Sequence, residues 1–456
     1  MSWKGSLAVL AIVSAVGGAC TAPAAESRPS APLAPSATAS AVPAKTGDLV
    51  YVRNMSRNGE IAVLEGDTGK QLARYPSGVT NPDWSLVYGT QLESGNTVLR
   101  ATDLARNVTV NERRIDANGY PLQLPSMSLT GDPGGFSPNA RWLALTTRAD
   151  YSSTGSPTKS PFAVLDAKLE QPTKLVELPG SFTFDAISDS GQNLYVEEHL
   201  GQNGEDGYRV RVYDLQSRQL LPGFVVDKSV TADRMAGTRV ATLASPDGLW
   251  QFTLYWRQGG NPFIHAIRLE ERWSLCLFLP VETRGEEDFA WSFVPSPDGR
   301  IGYAINSLKG YVASIALTSA TVIRAAAVDL KQTQAPNLGD ELARFFFPVA
   351  EAKSEMFSLS VVSPDGKTLY ASGDFGRKLF AIDTDTFAVK GRYAVDSASG
   401  PIQLIALGVS PDGARLYGLD AQGKSLVRID AATGRVLSVV AIPGPYFGRI
   451  LRVVSH

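Results

Sequence analysis

The sequence of 456 residues has few of the side chains that make cross-links or metal sites. It contains two cysteines, one near the amino terminus and the other, Cys276, inside an apolar run, so no disulfide framework is expected. We predict that Cys276 is a small buried side chain. The three histidines are far apart and lack the spacing of a zinc site, so we predict no bound metal.

A strong charge of either sign and the common catalytic motifs are also missing. The 43 Lys and Arg residues nearly balance the 45 Asp and Glu residues, which excludes the basic surface typical of nucleic-acid-binding proteins. The sequence has no Gly-x-Ser-x-Gly turn, no His-Glu-x-x-His helix and no phosphate-binding loop. We therefore predict no catalytic residues, no cofactor and no nucleic-acid partner.

Long hydrophobic runs are limited to one short segment at the amino terminus. Lys4 precedes the apolar stretch 7–16, and the small residues 17–19 follow it. This order predicts a secretory signal peptide, because the stretch is too short to span a bilayer. Residues 21–46 are rich in Ala, Pro, Ser and Thr, which predicts a semi-extended tether. The globular domain is expected at residues 47–456.

Cys20 directly follows these small residues and resembles the lipid-attachment cysteine of bacterial lipoproteins. The segment departs from the usual motif at Gly17, where leucine is common. The resemblance implies cleavage before Cys20, with lipid attachment there and anchoring to a membrane. Ordinary secretion is the alternative. We expect an exported protein, lipid-anchored to the bacterial cell envelope on its periplasmic or extracellular side.

A turn that reads Ser-Pro-Asp-Gly in four of its copies recurs along this sequence, and each copy lies between two apolar runs. Pro presets the backbone, Asp bonds the backbone that follows, and Gly accepts a positive φ. The seven copies are at 81–83, 137–139, 188–191, 245–248, 296–299, 363–366 and 410–413. Their spacing of roughly 50–65 residues is close to that of the blades of a β-propeller.

The clearest copy contains four strands in a row. Strands A to D are predicted at 356–362, 367–371, 378–382 and 387–395, with the turn between A and B. The next copy, 401–442, repeats all four strands and both turns. We interpret the acidic residue that ends strand C as a cap for the following turn. The acidic residues are Asp67, Asp103, Asp166, Asp214, Glu270, Asp383 and Asp430.

The two ends of the domain are expected to share one blade. The first copy lacks strand A, and a surplus strand at 449–454 follows the last copy. Placing this strand in the first blade closes the ring and removes exposed sheet edges. We therefore predict an all-β, closed propeller of eight four-stranded blades. Seven blades remain the alternative, if the unit at 81–83 is not a full blade.

The repeated elements resemble those of YVTN-type bacterial β-propellers, which are relatives of the WD-repeat-like propellers. These elements are the Ser-Pro-Asp-Gly turn, the Leu-Tyr pair and the Ile-Asp-x-x-Thr-Gly turn at 429–434. The resemblance is close over 355–442 and looser over 49–329. It implies the fold and little about the chemistry, because this family includes lactonases, redox-enzyme subunits and plain binding proteins.

The order of the strands assigns the connections to two faces of the ring. The A–B and C–D turns share one face, the turn face, and the B–C and D–A connections share the other, the loop-rich face. The long connections at 116–135, 149–161, 201–207, 257–262, 282–288 and 330–355, the last partly helical, all fall on the loop-rich face. Long loops often carry function, although surface drift is the alternative. The candidate site residues are Glu198, His199, Asp206, Arg257, Arg284 and Glu286.

We expect a monomeric, membrane-tethered propeller that binds a protein, peptide or glycan on its loop-rich face without catalysis. The alternative is an exported lactonase or other hydrolase, or a redox-enzyme accessory subunit, that uses the central channel. Polar and acid–base side chains converging with His199 in the channel would favour the enzyme. Aliphatic side chains filling the channel would favour the binding module.

Overall fold

A computed structural model describes residues 47–54, 59–147, 157–201, 207–227, 234–257, 260–330, 359–446 and 448–455. These residues form eight four-stranded antiparallel sheets, the blades of a closed β-propeller. The predicted eight-bladed fold is confirmed. The alternative of seven blades is wrong, because the second unit has all four strands.

The first half of the ring consists of blades 1 to 4, and the fourth strand of blade 1 comes from the end of the described chain. Blade 1 contains β1 (Asp48–Asn54), β2 (Glu60–Glu65) and β3 (Gln71–Tyr75). Blade 2 contains β4 (Val79–Thr80), β5 (Leu86–Glu93), β6 (Asn96–Asp103) and β7 (Val108–Ile115). Blade 3 contains β8 (Leu122–Gln123), β9 (Trp142–Thr147), β10 (Lys159–Asp166) and β11 (Lys174–Pro179). Blade 4 contains β12 (Phe182–Ile187), β13 (Asn193–His199), β14 (Tyr208–Asp214) and β15 (Gln219–Leu220).

The second half of the ring repeats the same order. Blade 5 contains β16 (Thr238–Ala244), β17 (Trp250–Trp256), β18 (Phe263–Arg268) and β19 (Trp273–Phe278). Blade 6 contains β20 (Trp291–Pro295), β21 (Ile301–Asn306), β22 (Tyr311–Ala316) and β23 (Thr321–Ala327). Blade 7 contains β24 (Ser360–Val362), β25 (Thr368–Gly373), β26 (Lys378–Asp383) and β27 (Val389–Ala394), followed by the short hairpin β28 (Asp396–Ser397) and β29 (Gly400–Pro401). Blade 8 contains β30 (Leu404–Val409), β31 (Arg415–Asp420), β32 (Ser425–Asp430) and β33 (Val436–Ala441).

The last strand, β34 (Gly448–Ser455), is the inner strand of blade 1 and closes the ring. It pairs antiparallel with β1 from Asp48 opposite Ser455 to Asn54 opposite Gly448. This pairing confirms the predicted composite blade. The register shifts at Leu451, which is the extra residue of a β-bulge between Ile450 and Arg452.

The repeated turns share one hydrogen-bond pattern. In the turn that begins at Ser363, the Ser hydroxyl donates to Asp365 Oδ1 at 2.5 Å and accepts the backbone N–H of Thr368 at 2.9 Å. Asp365 Oδ1 also accepts the N–H of Lys367, and Gly366 has a φ of 73°. The turns that begin at Ser245, Ser296 and Ser410 make the same Ser–Asp and backbone bonds. The predicted roles of Asp and Gly in this turn are therefore confirmed.

Most of the acidic residues that end strand C cap their own turns, as predicted. Backbone N–H groups of the turn donate to the carboxylates of Asp103, Asp166, Asp214, Asp383 and Asp430. Glu270 instead accepts the N–H of Ser190 in blade 4 at 2.9 Å. Asp67 forms an ion pair with Arg428 of blade 8. These two residues therefore connect neighbouring blades.

The apolar core is divided among the interfaces between adjacent blades. Phe252 and Leu254 of blade 5 pack with Trp291 and Phe293 of blade 6, for example. Corresponding clusters lie at the other interfaces, including the closing interface between blades 8 and 1. Each blade therefore depends on both of its neighbours to bury its faces, as expected for a repeat ring.

Three of the predicted long connections contain more regular structure than expected. The segment 116–135 includes β8 and a hairpin described below, and β10 begins at Lys159, within the predicted loop 149–161. A short 3-10 helix, Gly285–Phe289, lies in the connection 282–288. The helix predicted within 330–355, the signal peptide and the tether lie outside the described residues.

Candidate functional site

The central channel contains a cavity of about 670 Å³ with a mainly apolar wall. The wall is built by the inner strands of blades 1, 5, 6, 7 and 8. Its partly exposed apolar side chains include Ala241, Val294, Val361, Ile405 and Ile450. The polar groups are few, and two of them, the hydroxyls of Ser292 and Ser360, bond each other at 2.6 Å.

A hairpin from blade 3 reaches across this channel. Strand A of blade 3 pairs with β9 in two places, through Gln123 at the end of β8 and through Phe136. The segment between these two residues leaves the sheet. The backbone of Met127 donates to Asp132, which closes residues 126–133 into a hairpin, the channel hairpin. Leu129 N then donates to Val240 O on β16 at 3.0 Å. The hairpin therefore joins blade 3 to blade 5 across the ring.

Asp132 attaches the channel hairpin to blade 1. Its Oδ2 accepts hydrogen bonds from Ser128 Oγ at 2.6 Å and Thr130 Oγ1 at 2.8 Å, and it pairs with Arg449 on β34. Its Oδ1 lies 3.8 Å from Nε of Arg53. Burial would raise the pKa of Asp132, but Arg449 and the two hydroxyls outweigh burial and lower this pKa below its usual value. The carboxylate is therefore ionised near neutral pH and holds the hairpin in place.

The interface between blades 4 and 5 holds a cluster of buried charges. Arg239 Nη2 of β16 donates to Glu197 Oε1 of β13 at 2.9 Å and to Asp185 Oδ1 of β12 at 3.0 Å. Tyr255 also donates to Glu197, at 2.7 Å, and Arg239 Nη1 contacts Met127 Sδ of the channel hairpin at 3.4 Å. Burial raises the pKa of Asp185 to about 7. For Glu197, burial acts in the same direction, but the attraction of Arg239 prevails and lowers the pKa.

The structure places His199 beside this charge cluster and not in the lining of the channel cavity. Its Nε2 lies 2.9 Å from Thr183 Oγ1, and burial lowers its pKa below the usual value. The neighbouring candidate, Glu198, pairs with Arg211 on β14 at 2.8 Å. The two adjacent residues therefore have separate partners and do not converge on one site.

Arg284 belongs to a second concave surface, which lies on the loop-rich face over blades 6 and 7. This surface, the loop-face depression, is lined by Glu282, Arg284, Glu287, Lys309 and Phe375 among others. Arg284 pairs with Glu282 at 3.2 Å, and Lys309 pairs with Glu287 at the same distance. The depression therefore presents two charges of each sign around one aromatic ring.

Phe375 has an unusual backbone conformation in this depression. Its φ of 52° and that of the preceding Asp374, 48°, both lie in the left-handed region. A bulky residue rarely adopts this conformation, which costs about 1–2 kcal/mol relative to glycine. The loop between β25 and β26 therefore holds Phe375 in a conformation that the residue would not adopt by itself.

Arg257 lines neither concavity. The Arg257 guanidinium lies over the rings of Phe263 and Phe278, at 5.3 and 5.8 Å from their centroids. Glu286 lies in the 3-10 helix of the loop-face depression, and its side chain is outside the described part. Asp206 and Cys20 also lie outside the described residues.

Sequence reasoning named Arg284 of the loop-face depression but missed Phe375 there and Asp132 of the channel hairpin. The length of segment 116–135 drew attention to it, but no local pattern shows that Asp132 would meet Arg449. Phe375 carries a weak local signal, since it lies between Gly373 and Gly376 in a short loop between two strands. Its left-handed φ depends on how that loop packs.

Two features are absent from the described ranges. No group of three or more His, Cys, Asp or Glu side chains in these ranges could hold a metal ion. No helix among the same residues combines the length and the apolar character that crossing a membrane requires.

No protein-family model and no curated protein sequence matches the chain. Among solved structures, it is similar to apo AztD from Citrobacter koseri, with 13% identity, a TM-score of 0.51 and coverage of 90% of this chain and 98% of that chain. It is also similar to the dihydro-heme d1 dehydrogenase NirN (15% identity, TM-score 0.47, 87% of this chain and 73% of that chain). The periplasmic gluconolactonase PpgL from Pseudomonas aeruginosa has 17% identity and a TM-score of 0.37 over 81% of this chain and 98% of that chain. At these identities the likeness shows the β-propeller fold alone.

Proposed function

We propose that this chain is an exported, lipid-anchored β-propeller that binds a protein or peptide segment in the loop-face depression, without catalysis. The observation that carries this proposal is the conformation of Phe375. A strained aromatic residue in the lining of a charged concave surface indicates a position selected for contact with a partner, because strain of this kind is concentrated at functional sites.

The composition of the depression supports a peptide-like partner. Aromatic and arginine side chains supply most of the binding energy in protein interfaces, and Phe375 and Arg284 are of these types. Glu282, Glu287 and Lys309 add charges of both signs at the rim, which suits the orientation of a partner that itself carries both charges. The Arg284–Glu282 pair is largely exposed, so partner charges can replace it at little cost, whereas the Lys309–Glu287 pair is partly buried.

The channel gives less support to the alternative of a hydrolase. Its wall is mainly apolar, and the charged pair beside the cavity, Asp132 and Arg449, is held together in an ion pair. His199 lies with the cluster between blades 4 and 5 instead. A general acid or base must reach a substrate in a pocket, and this arrangement offers none of these groups to a molecule in the cavity.

Export and anchoring are tested by one pair of variants. Replacing Cys20 by Ser is expected to move the full chain from the membrane fraction to the soluble fraction of the cell envelope. Cys276→Ser is the matched control and should leave the protein in the membrane fraction, because Cys276 lies on β19 of the propeller, where it is half-buried and not fully buried as predicted. Membrane retention of the Cys20→Ser protein would contradict the anchor.

Binding is tested by capture of partners from the producing cells with the full-length protein. The double variant Phe375→Asn, Lys309→Glu removes the ring and reverses one charge, and we expect it to lose the partner. Asparagine is chosen because it tolerates a positive φ. The control is Lys367→Glu, an exposed residue on the turn face of blade 7. The assigned surface would be contradicted if the double variant and the Lys367→Glu control both retained the partner, or if both lost it.

A further inference from the structure

We propose that the cavity in the central channel binds an amphiphile, a molecule with an apolar chain and an anionic head group such as an alkyl carboxylate. This site is separate from the loop-face depression, and the proposal does not depend on the function proposed above. It is argued from the volume of the cavity, its apolar wall, and the placement of two arginines on β34.

The volume and the wall of the cavity both favour an apolar ligand. Protein interiors seldom contain voids much larger than a water molecule, whereas ligand pockets commonly measure about 300–1,000 Å³. The volume of this cavity, about 670 Å³, lies in the range of ligand pockets. Side chains such as Val361, Ile405 and Ile450 are partly exposed to it. Water in contact with such a wall is unfavourable, so an apolar chain that displaces it is stabilised.

The channel hairpin makes the cavity a preformed site. Leu129 and Thr130 of the hairpin line one side of the cavity. The hairpin is fixed at both sides, by the backbone bond from Leu129 to Val240 and by the ion pair between Asp132 and Arg449. A wall that is held in place before the ligand arrives reduces the entropy lost on binding.

The β-bulge at Leu451 determines where the positive charge lies. Arg449 pairs with Arg53 in the ladder, and Arg452 pairs with Tyr51. Because Tyr51 and Arg53 are two residues apart on β1, they share a face, and the bulge therefore places Arg449 and Arg452 on the same face. In a regular strand without a bulge, Arg449 and Arg452, which are three residues apart, would point to opposite faces.

Arg452 is the cation available to a head group. Arg449 is already paired with Asp132, whereas no ion pair of Arg452 exists among the residues that the structure describes. The Arg452 guanidinium lies over the Trp84 ring, 5.3 Å from its centroid, and the residue lines the cavity. A guanidinium oriented by an aromatic ring keeps its N–H donors free for a carboxylate. The apolar wall and this cation together specify an anionic amphiphile.

The experiment measures binding of three probes with the same twelve-carbon chain. The probes are dodecanoate, dodecanol and dodecyltrimethylammonium, each below its micelle concentration. The protein is the full chain carrying Cys20→Ser, purified without detergent because detergent would compete for the cavity. Calorimetry is expected to show saturable binding of one dodecanoate per chain. Binding of dodecyltrimethylammonium should be weaker by about tenfold or more, because its head group carries the wrong charge.

Three variants locate the site. Ile405→Trp and Val361→Trp each reduce the volume of the cavity, from blades 8 and 7, and each should weaken dodecanoate binding while the melting transition is kept. Arg452→Gln should weaken dodecanoate binding about tenfold and leave dodecanol binding unchanged, because a single charge-assisted bond is lost. Arg435→Gln, an exposed residue on the turn face of blade 8, is the matched control and should bind as the parent protein does.

Several results would overturn the proposal. They are absence of saturable dodecanoate binding, equal binding of the anionic and cationic probes, and unchanged binding in a tryptophan variant that melts normally. If neither tryptophan variant folds, the Arg452→Gln variant tests the proposal. Equal dodecanoate binding by Arg452→Gln and by the control Arg435→Gln would exclude the assigned head-group site.

Discussion

Arg239 on the inner strand of blade 5 and Glu197 on the second strand of blade 4 form a buried ion pair, with 2.9 Å between Nη2 and Oε1. Asp185 shares the same guanidinium at 3.0 Å, so that one cation compensates two carboxylates. The cost of removing three charged groups from water is offset only while all three remain together. This interface is therefore sensitive to the loss of its arginine.

Replacing Arg239 by Met should destabilise the protein by about 3–5 kcal/mol, because the Glu197 carboxylate and the partly ionised Asp185 then remain buried without their cation. The measurement is the free energy of unfolding in urea at pH 7. Arg106→Met is the control, since Arg106 is 68% exposed in its pair with Asp103 and exposed pairs contribute about 0–1 kcal/mol. Similar small losses in both variants would contradict the importance of the buried cluster.

His265 should make the folded protein sensitive to acid. It is buried on β18 between Thr253 and Cys276 of the neighbouring strands, and neither ring nitrogen has a hydrogen-bond partner among the described residues. Burial lowers its pKa to about 4. In the unfolded chain the pKa is about 6.5. Between these pH values the unfolded chain binds a proton that the folded protein does not, so stability falls as the pH falls.

The variant His265→Phe should lose this part of the acid sensitivity. Between pH 7.5 and pH 5, the free energy of unfolding of the parent protein should fall by about 2 kcal/mol more than that of the variant, from the shift of the histidine. Urea unfolding of both proteins at the two pH values measures the difference. An identical pH dependence would show that His265 titrates in the folded state as it does in the unfolded chain.

The closing strand should be required for cooperative folding. A chain that ends at Tyr446 lacks β34, which leaves β1 with an open edge and removes the partly buried Ile450 and Val453 from the cluster between blades 8 and 1. We expect loss of the single melting transition, measured by circular dichroism. A chain that ends at Ser455 retains all of β34 and should melt as the full chain does. Similar transitions in the two truncated chains would show that the ring does not depend on the strand.

The repeated turns allow a test by exchange between blades. Gly366 has a φ of 73°, and Ala140 occupies the equivalent position of blade 3 with a φ of 54°. Gly366→Ala should destabilise the protein by about 1 kcal/mol, and Ala140→Gly should stabilise it by up to a similar amount, because only glycine adopts a positive φ without a steric cost. Thermal unfolding measures both effects. This explanation would be contradicted if both variants were more stable than the parent protein, or if both were less stable.

The fold was predictable from the sequence because its determinants are local and repeated. The residues of the turn at 363–366 form the hydrogen bonds of that turn among themselves and with the next strand. Counting the copies leaves one strand without a blade, and only closure of the ring gives this strand a partner. The site residues were less predictable, because each depends on a contact between distant segments. Arg449 and Asp132 belong to different blades. Arg452 shares a face with Arg449 because of a β-bulge, and the sequence of β34 does not reveal this bulge.

The position of β34 in the chain has a consequence for the folding pathway. Its partner β1 is the first strand and β34 the last of those described, so their contacts have a greater sequence separation than the contacts within any other blade. Contacts between distant segments form slowly. Until they form, the open edge of β1 can pair with another chain. Closure of the ring is therefore expected to be the slow step, and the intermediate that precedes it the species most prone to aggregation.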